Sequence, residues 1–587
     1  MKYYFVLFSI FSTLTSAFAQ NNDFVFPRNS GDDAESIFNS QYTTASFQNP
    51  PSSPVRTAAE WEEIDALFIA WEGYSSILRE IIDAAQEETQ VYVVTEDSNT
   101  VINNLNSNGV PLTNVHFLDA PTNTIWIRDY GQWCIYTDDV DTLKLVDWIY
   151  NRPRPLDDAI PGAVADLFNL PIYHMDQAPN DMCATGGNFM VDGWGTAFSS
   201  ELILQENDGS GTYNGQVNYP THTEDEIDTL MKQFMGIEHY IKMETLPYDG
   251  IHHIDMHMKL LDEETLLVGE YPGGVADGPQ IEANLQYVLS NYNSVFGTPY
   301  KVIRIPQPPD GSGDYPDDNG DYRTYANAVF VNKTILLPTY EEEYDTTALR
   351  IWRKALPGYN VVGINCNSII SSGGAIHCIT KDVTTQDNLL ITHQPLNDQE
   401  SIVSSYEIIA WIKHKTGIAS AEVYYRTDTT QYYQFVAMTL TDVNSDTWTG
   451  YIPQQNPGDT IYYYVYAQAN NGKEQNRPMP APDGYWDFKI LEPTFIVSPS
   501  IADFALNEIY PNPSHGITVI PVSSNMNIKS RIYLVDLLGR VVKTIYEGEL
   551  KTGDQNYFIN TISIDPGIYN VVIEAGGENI SQKLVVR

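Results

Sequence analysis

Cysteine is scarce in this chain, with four in 587 residues at positions 134, 183, 366 and 378. That is too few for a disulfide scaffold at this length, although Cys134 and Cys183 could still pair. Positive charge is scarce too: 32 Lys and Arg stand against 76 Asp and Glu, a net charge of −44. Such a balance argues against nucleic acid or an anionic membrane surface as a partner. It favours cationic substrates, or serves solubility alone. Long apolar runs are also missing, and nothing approaches the ~20 residues that a spanning helix needs. The apolar run from Tyr3 to about Thr15 follows Met1-Lys2 and precedes Ala17-Phe18-Ala19. It reads as a secretory signal peptide over residues 1–19, cleaved before Gln20, which leaves a soluble extracytoplasmic chain.

The length suggests about four domains. Residues 20–45 are rich in Asn, Ser, Gln and Asp and read as a flexible lead-in. From there to residue 396 the texture is mixed α/β. Leu67–Trp71 and Val91–Val94 read as strands, and between them Ser75 can cap a helix with apolar face Ile77, Leu78, Ile81 and Ile82. Further helices are marked by Leu230, Phe234 and Ile237, by Leu285, Val288 and Leu289, and by Leu349, Trp352 and Leu356. A loose echo runs through the same region: a polar residue heads a strand, and a second apolar strand often follows. It occurs at Ile125–Asp129, Gly187–Val191, His253–Leu260, Asn327–Val331 and Ala375–Thr380, and it suggests a radial arrangement about a central site. The acidic, glycine-rich stretch 309–322 lacks EF-hand spacing and reads as a solvated loop rather than a calcium site. Residues 397–492 carry short strands between turn residues, the pattern of an immunoglobulin-like sandwich. Residues 503–587 form a second small all-β domain.

Ser371-Ser372-Gly373-Gly374 followed by Ala375–Thr380 brings the backbone in tightly before what reads as a short strand carrying Cys378. A thiol so held could be a nucleophile, or only a small buried hydrophobe. A guanidinium is best held by carboxylates that accept paired N–H bonds, and Asp129 with Asp255 would supply two. His253, two residues before Asp255, would project on the same strand face and serve as general acid and base. Each has a plain alternative: Asp129 could merely pair with Arg128, and His253 could be a core histidine. His252 and His377 are read as such core residues.

Glu60-Trp61-Glu62, Trp126-x-Arg128-Asp129-x-Gly131, Gly186-Gly187-Asn188, His253-x-Asp255 and Gly373-Gly374-x-Ile376-His377-Cys378 follow in this order over about 340 residues. Together they resemble the agmatine deiminase and bacterial peptidylarginine deiminase family. The resemblance implies a five-bladed α/β propeller (the pentein fold), a hydrolase of amidine C–N bonds, and no organic cofactor; no residue is assigned to a metal, and a structural metal is left open. It implies Cys378 as nucleophile, His253 as general acid/base, Asp129 and Asp255 as guanidinium ligands, Asn327 as a substrate-positioning residue and Trp126 as part of the binding site. At the C-terminus, Tyr510-Pro511-Asn512-Pro513, Leu537-Leu538-Gly539-Arg540 and Pro566-Gly567-Ile568-Tyr569 resemble the sorting domain of the type IX secretion system. That implies a secreted or surface-attached protein.

One position departs from the family pattern. Agmatine deiminases usually place Glu before Gly-Gly-Asn, where this chain has Thr185. The segment Asn151-Arg152-Pro153-Arg154-Pro155 offers two arginines, Arg152 and Arg154, in a stiff loop suited to a carboxylate. Arg-x-Arg plays that part in secreted members of the peptidylarginine branch. The expected partners are therefore arginine-containing peptides or proteins, with citrulline and ammonia as products. A deiminase of agmatine or free arginine is the alternative, and an inactive surface-binding protein a further one.

Overall fold

A computed structural model describes residues 44–210, 220–400, 403–492, 504–576 and 578–587. The signal peptide and nearly all of the lead-in segment lie outside these residues. The chain divides into two compact units, 1–492 and 493–587.

Among the described residues of the first unit, five sheets repeat one connectivity: an antiparallel pair, a helix, then a strand parallel to the second of the pair. Trp133–Thr137 pairs antiparallel with Thr142–Tyr150, and after helix Ile160–Phe168 comes the parallel strand Ile172–Met175. The same order runs through Met190–Val191, Thr196–Ser200 and His239–Met243. It recurs in Met258–Asp262, Thr265–Glu270 and Lys301–Pro306, and in Val329–Val331, Thr334–Thr339 and Asn360–Asn365. The fifth sheet joins the two ends of the region. Lys381–Thr384 lies antiparallel to Ile64–Ala70, which is followed by helix Ser75–Ala85 and the parallel strand Gln90–Thr95.

Local chemistry explains the elements. Val331 and Thr334 are paired across a two-residue turn in which Asn332 takes φ +50°, as tight hairpins favour. The Asn332 side chain then bonds both backbone groups of Ile64, tying the fourth repeat to the fifth. Helix Glu224–Met235 opens with a reciprocal cap between Thr223 and Glu226 and closes on Gly236 at φ +71°. Helix Ser75–Ala85 buries Ile77, Leu78, Ile81 and Ile82 as expected. Ser75 does not cap it; Tyr74 occupies that position in a left-handed conformation without a side-chain capping bond.

The sandwich region has two sheets that share the buried residues Ile408, Ile412, Val423, Ile461, Val465 and Phe488. Its edge strand Leu389–His393 pairs with Ser405–His414, so the sheet begins before residue 397. This region is fastened to the repeats by Lys473–Glu63 (2.7 Å), Arg477–Glu263 (3.2 Å) and a Trp194–Trp411 edge contact.

The second unit is all β, with two sheets about Ile520, Val522, Ile532, Leu534, Val571 and Ile573. Among the described residues, no helix is long and apolar enough to cross a membrane. Cys134 and Cys183 are both buried free thiols, so the pairing left open above is not made.

Candidate active site

The polar heads of the repeats are not strand residues. Ile127–Tyr130 is one helical turn, and Gly186–Asn188, Ile254–Met256 and His377–Ile379 are 3-10 turns, each just ahead of its strand. Cys378 therefore sits in a turn, with strand Lys381–Thr384 following, and His253 with Asp255 does not share a strand face. Short turns bring consecutive side chains out at different angles. This separates Arg128 from Asp129. Arg128 is fully buried and points to Asp382 (3.4 Å) and Glu60 (3.7 Å). Asp129 turns the other way, accepting from the Gly187 amide (3.2 Å) and standing 3.6 Å from His253 Nδ1.

The turns converge. A Cβ on Gly187 would lie 2.5 Å from His253 Nδ1, 3.0 Å from Asp129 Oδ1 and 3.2 Å from Asp255 Oδ2, so only glycine lets these three face one another. A Cβ on Gly374 would meet the Trp126 ring at 2.6 Å and Cys378 Sγ at 2.9 Å, which places the indole beside the thiol. Asn327 fixes the turn of Cys378: its Oδ1 accepts from the amides of His377 (3.0 Å) and Cys378 (3.4 Å), and its Nδ2 lies 3.2 Å from Sγ. Asp255 Oδ2 is 3.6 Å from Sγ, and Asp255 Oδ1 is buried without a hydrogen-bond partner. Thr185 Oγ1 lies 3.1 Å from His253 Nε2. A small pocket is lined by Trp126, Asp129, Tyr150, Arg152, Ile251, His253, Gly373 and Cys378. Arg152 is thus brought to the pocket; Arg154 is not in its lining and donates to Tyr150 Oη at 3.0 Å.

Electrostatics follow from burial and crowding. Burial, then Asp255 and Asp129, push the Cys378 thiol well above its ordinary value. Burial raises Asp129; the nearby His253 opposes this, and Asp255 adds to it. For Asp255 burial acts upward, but the hydrogen bond and charge of His377 outweigh it and hold the carboxyl low.

Two residues at the site were given no role by the sequence reading. His377, read above as a core histidine, places Nδ1 2.7 Å from Asp255 Oδ2 and Nε2 2.7 Å from Glu60 Oε1. Glu60 Oε2 meets Lys259 Nζ at 2.5 Å. The signal was present in Glu60-Trp61-Glu62, an acidic pair flanking a tryptophan just ahead of an apolar strand.

A buried thiol, two carboxylates, a histidine and an asparagine thus stand together, a set that suits a hydrolase acting on guanidino C–N bonds, the class to which the family below belongs. The family model for Porphyromonas-type peptidyl-arginine deiminase matches residues 56–383, and the chain belongs to that family. Residues 508–587 match the secretion system C-terminal sorting domain, the mark of a type IX export substrate. Similar curated proteins include provisionally named agmatine deiminases. One from Mycoplasma mycoides is 24% identical over 300 residues, 46% of this chain and 78% of the relative. One from Lactococcus lactis is 25% identical over 300 residues, 46% and 76% of the two chains. A crystal structure provisionally titled as an agmatine deiminase shares the fold at TM-score 0.50 and 20% identity, over 58% of this chain and 98% of that one.

Proposed function

We propose that this protein is an exported peptidylarginine deiminase acting on arginine at peptide C-termini. The observation that carries this reading is Arg152 in the lining of the pocket that holds Cys378, His253 and Asp129. A guanidinium suits the inner end, where two carboxylates and the unpartnered Asp255 Oδ1 await N–H donors. Arg152 suits a carboxylate at the mouth, which agmatine lacks. Thr185 supports the same choice, since a neutral hydroxyl stands where agmatine deiminases usually carry Glu. The five repeats are read as the blades of a five-bladed propeller with the site at its axis, and residues 1–19 as the export signal.

In the reaction, Asp129 and Asp255 grip the substrate guanidinium, whose charge offsets the field that disfavours the thiolate. The thiol proton passes to His253, and Sγ of Cys378 bonds to the guanidinium carbon. His253 returns the proton to the departing nitrogen, the C–N bond breaks, and ammonia leaves a thiouronium. Water, deprotonated by His253, then adds to that carbon; the C–S bond breaks and citrulline is released. Trp126, whose ring lies beside the thiol in the pocket lining, would contact the bound substrate.

The test is citrulline release from a peptide ending in arginine, the same peptide amidated, and agmatine. The acid peptide should have the highest kcat/KM, and Cys378→Ala should abolish turnover. A preference for agmatine would replace this reading with agmatine deiminase. No turnover of any of the three would leave a surface-binding role.

A further inference from the structure

We infer that His377, held by Glu60, is a positioning residue that places a buried positive charge behind Asp255 and Cys378. This deepens the function proposed above and rests on it. The His377 ring lies between two carboxylates, with Nδ1 2.7 Å from Asp255 Oδ2 and Nε2 2.7 Å from Glu60 Oε1. Ionised carboxylates only accept, so both ring nitrogens donate, and a ring with a proton on each nitrogen is a cation.

The alternative arrangement is a neutral ring facing one protonated carboxyl. The surroundings oppose it on both sides. Glu60 is also bound by Lys259 (2.5 Å) and approached by Arg128 (3.7 Å). Burial works against its ionisation, but Glu60 is held well below the usual carboxylate range, and Lys259 and Arg128 favour its ionised form whatever the state of the ring. Asp255 is likewise held low against burial, first by its hydrogen bond with His377. The groups facing the ring are Asp255 and Glu60. Lys259 and Arg128 stand behind Glu60, Asp382 behind Arg128, and Cys378, Asp129 and His253 lie across Asp255.

The ring is also held by its own backbone. The His377 amide donates to Asn327 Oδ1 (3.0 Å) and its carbonyl accepts from Arg128 Nε (3.2 Å). The next residue is Cys378, so ring and thiol are set by one turn. Asp255 Oδ2 is occupied by the ring, whereas Oδ1 is buried without a hydrogen-bond partner. The charge thus keeps Asp255 ionised and aimed, and weakens the penalty on a thiolate 3.6 Å from that carboxylate.

The test uses the full-length protein and two variants, His377→Asn and Glu60→Gln, with two readouts. One is the pH profile of kcat/KM on a peptide ending in arginine. The other is the pH dependence of Cys378 alkylation by iodoacetamide, with Cys378→Ala as the blank. An opposite charge in contact moves a titrating group by about 1–3 pH units. His377→Asn should therefore move the acid limb and the alkylation midpoint to higher pH by about one unit or more. Glu60→Gln should move both in the same direction by less, and it carries the test if His377→Asn does not fold. Activity lost equally at every pH, with unmoved midpoints, would overturn the inference and leave a scaffold role. If the wild type turns over no arginine compound, the deiminase reading fails. The alkylation profile then still decides whether His377 supplies charge to the thiol.

Discussion

The Asn327 amide contacts Cys378 twice, its Nδ2 3.2 Å from Sγ and its Oδ1 accepting from the Cys378 amide. One side chain therefore both shapes the turn and offers the sulfur a donor. Asn327→Ala should lower kcat about ten- to hundredfold, the scale of one hydrogen bond to a charged group. Asn327→Asp keeps the acceptor but adds negative charge beside the thiol, so it should also slow alkylation at pH 8. Unchanged kcat in both variants would remove Asn327 from the site.

Asp129 and Asp255 differ in what holds them. Asp255 is held low by its hydrogen bond with His377, whereas burial raises Asp129, with His253 opposing and Asp255 adding to the rise. Asp129→Asn and Asp255→Asn should each cost about 2–5 kcal/mol of transition-state binding, the scale for losing a buried charged partner. Steady-state kinetics on a peptide ending in arginine measure this, and near-normal kcat/KM in either variant would exclude that carboxylate.

The two loop arginines should separate. Arg152 lines the pocket, whereas Arg154 donates to Tyr150. Arg152→Ala should lower kcat/KM about ten- to hundredfold on the acid peptide but far less on the amide. Arg154→Ala should produce a smaller selective loss, transmitted through Tyr150. Equal losses on both peptides would make the loop a support only.

Glu206 gives a stability prediction. It is fully buried behind that loop, accepts a hydrogen bond from Asn151, and burial pushes its carboxyl up to about 8. Unfolded, it would titrate near ~4.3. Across the window between those values the native state holds a proton that the unfolded state has lost, so stability falls as pH rises. Glu206→Gln keeps the acceptor and removes the titration. Its Tm should exceed that of wild type at pH 8, with the gap closing towards pH 4. A gap that does not change with pH would contradict this.

The motif residues were legible because each lies beside a glycine turn or an apolar run. Cys378, His253, Asp129, Asp255 and Asn327 were chosen from such segments and meet within one site. Their local conformation was misread for a physical reason. A three-residue 3-10 turn has no periodicity of its own, and next to an apolar strand it borrows the appearance of that strand. Glu60 and His377 were missed because their partners lie far along the chain: 199 residues separate Glu60 from Lys259, and 317 separate it from His377. No local pattern encodes such a meeting. Ser75 looked like a cap by residue type, but the left-handed Tyr74 takes that position.

The strand after Cys378 pairs with Ile64–Ala70, with Lys381 opposite Phe68. Consider the order in which a ribosome delivers these pieces. Ile64–Ala70 emerges early and must wait, with one edge bare, for a partner more than three hundred residues behind it. Cys378 reaches the outside world only moments before that partner. A nascent or truncated chain therefore holds Asp129 and Asp255 without Cys378, and under the function proposed above it would gain activity only once Lys381–Thr384 has paired with Ile64–Ala70. For an enzyme that carries an export tail, late arrival of the thiol is a form of timing, written into the connectivity rather than into any inhibitor.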